Sequence, residues 1–333
     1  MRRENRAAFA SAVAAWVLAA WAAGPLFAAG KLPVPRTVQV GAYINDIQNL
    51  DLMSHSYSVD VYLWFRWKDP ALDPAVTVEF LNSYEQWGHT RALDHEKPVR
   101  LPSGEFYQLI REQGRFSRKF HLNDYPFDRQ TLTVEFEDSK LGVSRQRYAA
   151  DGKGLTVNPQ LELPGFEIGP PRLTISPHEY PTDFGDPEVR GKEAFSRVRL
   201  EVPIARPVVP YSIKLLLPIL CVVFCAALMF LFHPKYVDSR VGIGITALLT
   251  IVALQITLND ELPDISYLVL MDKIYLGAYL FVIAGLAVIV KTTWMVDRGD
   301  SRRAIHTDRR SLCVLLILYL ASMAWVLFSR AYS

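Results

Sequence analysis

The chain has 333 residues, 50% of them hydrophobic and 21% charged, with a formal net charge of +2. That apolar content excludes a disordered chain, the lack of a glycine period excludes a collagen-like one, and near-neutrality argues against a nucleic-acid partner. By composition the chain divides into a basic and apolar leader (1–30), a stretch with 22 basic against 25 acidic residues (31–210) and a strongly apolar end (211–333).

In the leader, Arg2, Arg3 and Arg6 precede an apolar run from Ala7 to Ala23. Pro25 breaks the run, and Ala28-Ala29-Gly30 offers the small residues of a signal-peptidase site. A cleaved signal peptide over residues 1–30 is expected, with a retained membrane anchor as the alternative; either exports residues 31–210. The exported stretch contains no cysteine, while Cys221, Cys225 and Cys313 sit in apolar runs and read as packing residues.

Residues 31–210 read as an all-β, immunoglobulin-like sandwich of about ten strands. The clearest strand is Val61-Tyr62-Leu63-Trp64-Phe65-Arg66-Trp67, whose odd positions are all large and apolar. Further strands are expected at 37–45, 76–80, 115–122, 130–136, 145–148, 155–157, 172–176 and 195–203. Turn signals such as Asp69-Pro70, Asp73-Pro74, Pro102-Ser103-Gly104 and Asp151-Gly152 separate them.

Residues 211–333 read as an all-α domain of four membrane-crossing helices, about 211–232, 241–259, 267–290 and 311–329, each near the ~20 residues a crossing needs. Asp260, Glu261 and Asp264 follow the second span, whereas Arg298, Arg302, Arg303, Arg309 and Arg310 lie between the third and fourth. Basic loops stay cytoplasmic, so the β domain, the acidic loop and the C-terminus are expected outside. The linker of about 296–310 is too short for a cytoplasmic catalytic domain.

The second span carries small and hydroxyl residues among its apolar ones. Helical steps of four and three place Gly242, Thr246, Leu249, Ala253 and Ile256 on one stripe, with Asp238 and Asp260 at its ends. Such a stripe suits a water-lined helix, and acidic rings attract cations. Close helix packing through small residues is the alternative reading. One such helix encloses nothing, so a pore needs several copies around an axis.

Several strings, in order, resemble the pentameric ligand-gated ion channels, the Cys-loop receptor superfamily, and in particular their bacterial branch. Tyr125-Pro126-Phe127-Asp128-Arg129-Gln130 resembles the loop between the family's sixth and seventh strands, and Trp67-Lys68-Asp69-Pro70 its Trp-x-Asp motif. Arg206-Pro207 precedes the first span, which carries Pro218, and Arg240 to Thr250 resembles the pore helix. The cysteines that flank the Pro-Phe-Asp loop in animal members are missing, as in bacterial ones.

The resemblance implies a homopentamer in a bacterial inner membrane, in contact with lipids. It implies Leu249 as the central hydrophobic gate, Ile256 as a second constriction, and Gly242 and Thr246 lining the lower pore. The string from Arg240 to Thr250 resembles that of anion-selective, glycine-receptor-type members, so an anion-selective channel is one alternative. Where those members carry Pro-Ala before the matching arginine, however, this chain has Asp238-Ser239, so monovalent cations are the expected permeant ions. A local pairing of Asp238 with Lys235 or Arg240 is the bland alternative.

A ligand site between subunits is implied at Tyr62, Trp64, Glu137, Asp138, Ser139, Tyr180 and Phe195, whose aromatic faces and carboxylates suit an amine. Tyr62 and Trp64 could equally serve only as subunit packing. Protons are the alternative agonist. Coupling is expected through Asp46 and Asp51 in the first-to-second strand turn, Asp128, Arg206 and the loop around Pro263, with an Arg206–Asp128 pair. No GxSxG, HExxH or Cys/His cluster is present, so neither an enzyme nor a metal or other cofactor is expected. A non-conducting membrane sensor is the rival of another class.

Overall fold

The computed structural model describes residues 34–182, 185 and 194–329. The expected signal peptide over residues 1–30 lies outside them. Among the described residues twelve strands form two sheets, followed by four helices long and apolar enough to cross a membrane. The strands are β1 (Arg36–Asp51), β2 (Ser56–Trp67), β3 (Val78–Phe80), β4 (Ser83–Tyr84), β5 (Thr90–Leu93), β6 (Val99–Arg100), β7 (Phe106–Ser117), β8 (Arg129–Asp138), β9 (Gln146–Val157), β10 (Glu167–Ile168), β11 (Arg172–Glu179) and β12 (Ala194–Ala205). One sheet runs β4-β7-β2-β1-β9, with β5 and β6 also on β7; the other runs β10-β12-β8-β3, with β11 on β12.

The alternation in β2 drives the packing. Tyr57, Val59, Val61, Leu63, Phe65 and Trp67 are buried, while Tyr62, Trp64 and Arg66 between them stay partly open. The sheets meet through aromatic contacts: Phe65 to Phe136 at 6.4 Å, Phe80 to Phe116 at 5.7 Å and Phe136 to Tyr148 at 5.9 Å between ring centres. Tyr57 pins them across the core, its hydroxyl donating to the Thr133 carbonyl and accepting from the Thr133 N–H, both at 2.7 Å.

Three strand expectations need correction. The strand expected at 115–122 is β7, which starts at Phe106 and ends at Ser117. Its inward positions include Gln108 and Glu112, so the apolar alternation is hidden; Glu112 is buried because His89 (3.0 Å) and Arg91 (2.8 Å) hold its carboxylate. The pieces at 145–148 and 155–157 are one strand, β9. Asp151-Gly152 is a bulge in it, where the pairing with β1 skips from Ala150 to Leu155 and Gly152 and Gly154 adopt positive φ. The 76–80 strand keeps only Val78–Phe80, because a helical turn over Pro74–Thr77 precedes it.

The helices are α1 (Val208–Ala227, prolonged by a 3-10 turn over Leu228–Phe230), α2 (Val237–Asn259), α3 (Leu270–Asp297) and α4 (Ser301–Ser329). Hydropathy started α1, α2 and α4 too late and ended α3 too early, whereas it ran past the end of α1 and began α3 before Leu270. Asp238 belongs to the first turn of α2, where a carboxylate suits the positive end of the helix dipole. The basic linker is mostly helix: only Arg298, Gly299 and Asp300 separate α3 from α4, with Gly299 supplying the positive φ that ends α3.

The sandwich sits on the helices through the loop 118–128 and the end of β12. Arg206 is buried there, its Nε 3.2 Å from Asp128 Oδ1, with the rings of Phe166, Tyr125 and Tyr211 at 4.6, 5.0 and 5.1 Å from its guanidinium carbon. Its Nη1 donates to the Tyr211 hydroxyl at 3.1 Å, and Gln130 Nε2 donates to the other Asp128 oxygen at 2.7 Å. Tyr125 donates to Glu261 at 3.1 Å in the α2–α3 loop; burial pushes its phenol well above the ordinary value, which keeps the proton on the donor. From that loop Tyr267 accepts the Leu122 N–H at 3.1 Å, and the first N–H of α3, on Leu270, donates to the Asn123 carbonyl at 2.9 Å.

Asp46 does not lie in the turn. It is inside β1 at a register shift opposite Asp60, and its carboxylate accepts from the Ile47 N–H at 2.9 Å and from Gln48. Asp51 does close the β1–β2 turn, accepting from Ser54 Oγ at 2.6 Å and the Met53 N–H at 2.9 Å; these bonds, with Ser54 foremost, hold its carboxyl below the usual range. Pro263 is buried in the α2–α3 loop.

Removing one partner of a buried ion pair costs about 3–5 kcal/mol. Asp128→Asn is therefore expected to lower the melting temperature of the detergent-solubilised protein, followed by tryptophan fluorescence. Asp128→Asn with Arg206→Gln should be less destabilised than the two single losses combined. Additive losses would mean that the two groups act separately.

Candidate pore and ligand-binding faces

α2 has one covered face and one uncovered face. Arg240, Gly244, Ala247, Ile251 and Leu258 are buried against the rest of the chain. A Cβ on Gly244 would run into Leu286, so glycine there permits close packing. Asp238, Gly242, Thr246, Leu249, Ala253, Ile256 and Asp260 are all exposed, Leu249 by 64% and Ile256 by 56%. The expected stripe is thus the face that one chain leaves uncovered. Thr250 and Thr257 return their hydroxyls to the helix, donating to the Thr246 carbonyl (2.8 Å) and the Ala253 carbonyl (3.1 Å).

Arg240 turns away from Asp238. Its Nη2 lies 2.7 Å from Asp308 Oδ1 on α4, its Nε donates to the Met229 carbonyl at 2.8 Å, and its Nη1 donates to Thr292 on α3 at 3.4 Å. The local Asp238–Arg240 pairing weighed from the sequence is therefore replaced by an interhelical one. Only the pairing of distant helices brings Asp308 to Arg240, so the sequence held no local signal for it.

The residues expected at the ligand site divide between the sheets. Tyr62 and Trp64 stand on the outer face of β2. Tyr62 lies under the Arg111 guanidinium at 5.2 Å, and Arg111 grips Asp60 with bonds of 2.9 and 2.7 Å. Trp64 lies over Gly41, where any Cβ would meet the indole, and its Nε1 donates to Asp151 at 2.8 Å.

On the other sheet Glu137, Tyr180 and Phe195 come together. The Tyr180 hydroxyl donates to Glu137 at 2.6 Å, and the Tyr180 and Phe195 rings are 5.9 Å apart. Burial, followed by the Glu137 bond, raises the Tyr180 phenol above its ordinary value. Sequence reasoning missed Arg197, which holds Glu137 at 3.3 Å, donates to the Tyr180 hydroxyl at 2.9 Å and lies 5.7 Å over its ring. Its signal is the alternation Arg197-Val198-Arg199-Leu200-Glu201, which gains meaning once β12 pairs with β8 and faces Glu135 and Glu137.

Asp138 is committed to the sandwich. It is buried and accepts from Thr77 Oγ1 at 2.5 Å, Gln146 Nε2 at 3.1 Å and the N–H groups of Lys140 (2.9 Å) and Leu141 (2.8 Å). Its bonds to the Lys140 and Leu141 N–H groups cap the turn that follows β8. Ser139 is exposed, with its N–H on the Thr77 carbonyl at 2.9 Å.

Comparison with known proteins places these faces in context. Residues 215–324 match the family described as the neurotransmitter-gated ion-channel transmembrane region. The chain is 22% identical over 300 residues to a proton-gated ion channel of Gloeobacter violaceus, covering 86% of this chain and 81% of that one. It is 23% identical over 299 residues to the gamma-aminobutyric acid receptor subunit beta-4 of Gallus gallus, and 20% identical over 294 residues to subunit alpha-2 of Bos taurus. These alignments cover 83% and 78% of this chain but 59% and 61% of the two receptor subunits. Residues resembling the family in both the sandwich and the helices, a matching helical region and these relatives together support a pentameric ligand-gated ion channel of the Cys-loop superfamily as the kind of multi-pass membrane protein this chain is similar to.

Proposed function

We propose that five copies of this chain enclose a cation-selective pore lined by α2. A small amine-bearing ligand bound between the sandwiches of neighbouring subunits opens it. The sandwich and the C-terminus face the periplasm of a bacterial inner membrane, an orientation that the charges of the loops support.

The observation that carries this reading is the uncovered stripe of α2. It has carboxylates at both ends, Leu249 and Ile256 between them, and the nearest arginine turned inward. Repeated around an axis, Leu249 forms an apolar constriction that closes by dewetting, and the acidic rings exclude anions.

The division of the ligand set supports a site between subunits, since Tyr62 and Trp64 lie on one sheet and Glu137, Tyr180 and Phe195 on the other. Glu137 is already held by Arg197, so a simple amine has to compete for it. A ligand with a carboxylate beside its amine meets both charges and fits better.

A proton is the second agonist reading, and His55 supports it. One relative is named a proton-gated ion channel. Here His55 Nδ1 accepts the Phe120 N–H at 3.1 Å and so anchors the loop 118–128. Burial, and then Lys119, hold the imidazole below its ordinary 6.5, while Asp51 acts in the opposite sense. The neutral form is therefore the one the folded state favours. The stabilisation is present above about pH 6.5 and lost as pH falls through the lowered folded value, because a protonated Nδ1 no longer accepts.

The first test is the reversal potential of the purified protein in planar bilayers under a sodium chloride gradient, with candidate amino acids or acid steps. A reversal near the sodium potential is expected, moving toward zero in Asp238→Ala; a reversal near the chloride potential would contradict cation selectivity. The second test is acid activation. Opening should rise as pH falls from about 7 to about 5, and His55→Gln, whose amide oxygen accepts without titrating, should flatten the response. An unchanged pH response in His55→Gln would remove His55 as the sensor.

A further inference from the structure

Asp238 and Arg240 stand two residues apart at the start of α2, at the end that the loop charges assign to the cytoplasm. If both faced the mouth their charges would cancel, and the N-terminus of each helix would add roughly half a positive charge. The structure removes Arg240 from that sum. Its guanidinium is 0% exposed and the Asp308 carboxylate 2%, and Thr292 donates to the same Asp308 oxygen at 3.1 Å. Arg240, Thr292 and Asp308 thus tie α2, α3 and α4 together, while Asp238 and Ser239 remain exposed.

We propose that Asp308, on the largely uncovered α4, is a selectivity-determining residue. By holding Arg240 in a buried pair, it leaves the inner mouth to the Asp238 carboxylates. With the pair intact, each copy presents a carboxylate offset by roughly half a positive charge from the helix end. With Asp308 neutralised, Arg240 is released, its charge offsets that carboxylate, and the sign at the mouth reverses. A residue that touches no ion then decides which ion passes.

This proposal rests on α2 lining the pore, and the test keeps the two claims apart. Reversal potentials are measured for the full chain in planar bilayers under a sodium chloride gradient. All variants carry Leu249→Ser, a hydroxyl that keeps the constriction wet without an agonist. Asp308→Asn should raise the chloride-to-sodium permeability ratio by about tenfold or more. Asp308→Glu, which preserves the pair, should not. Arg240→Gln with Asp308→Asn, which removes both charges, should restore the ratio of the background.

An unchanged ratio in Asp308→Asn, or a shift that persists in the double variant, overturns the proposal. If Asp308→Asn does not assemble, judged by size-exclusion chromatography, the double variant decides. The background ratio there supports the proposal, and a ratio moved toward sodium overturns it, since Arg240 would then have been acting on ions while paired. A background that passes no current overturns the pore itself. A background that reverses at the chloride potential overturns cation selectivity, and the change between variants still judges Asp308.

Discussion

A membrane-crossing helix with carboxylates at both ends and glycine and threonine on its uncovered face is better matched to water than to lipid along that face. In α2 this constraint is sharp. Asp238 and Asp260 bracket the stripe, and the opposite face is closed by Gly244, Ala247 and Ile251 against the neighbouring helices. If that face meets water, as proposed, the wall around it has to be made by more than one chain. On that reading assembly, conduction and gating belong together. The sandwich above is the part that can make the wall responsive.

Arg206 explains how such a response could travel. It is the penultimate residue before α1, yet it is buried among groups of the sandwich and of the helix: Asp128 and Tyr125 from the loop 118–128, Phe166, and Tyr211 from α1. A buried guanidinium tolerates few positions, because each departure leaves a charge without its partner. Motion of β12 therefore has to move the loop or the helix. The loop in turn is bonded to Glu261, Tyr267 and Leu270, which flank the outer end of α2. His55 anchors the same loop from the β1–β2 turn. Under the proposed function, binding at Glu137 and Tyr180, on β8 and just after β11, would have a short mechanical route to α2 through β12.

Much of this was legible in the sequence wherever a period and a burial pattern coincide. The alternation of β2 and the three-and-four spacing of the α2 stripe each predicted the face later found, because side-chain direction follows directly from backbone repeat. Signals failed where a polar residue is buried by a distant partner. Glu112 hid β7, Arg240 read only as a local partner for Asp238 while Asp308 drew no notice, and Arg197 gained its role only when β12 was paired with β8. Helix ends failed for a related reason: hydropathy stops where polar residues begin, whereas helix formation continues through Val237-Asp238-Ser239 and through the arginines of α4. Asp138 shows a further limit: nothing local in the sequence told that Thr77 and Gln146 would share its carboxylate with the turn it caps.

The central claim is that the Asp238-to-Asp260 face of α2 lines water. Its most direct test is cysteine scanning of α2 on a background with Cys221, Cys225 and Cys313 replaced by serine, using a charged, membrane-impermeant thiol reagent in conducting bilayers. Block at Gly242, Thr246, Leu249, Ala253 and Ile256, with protection at Ala247, Ile251 and Leu258, is the expected pattern. Equal reactivity on both faces, or reaction only at the buried positions, would contradict it.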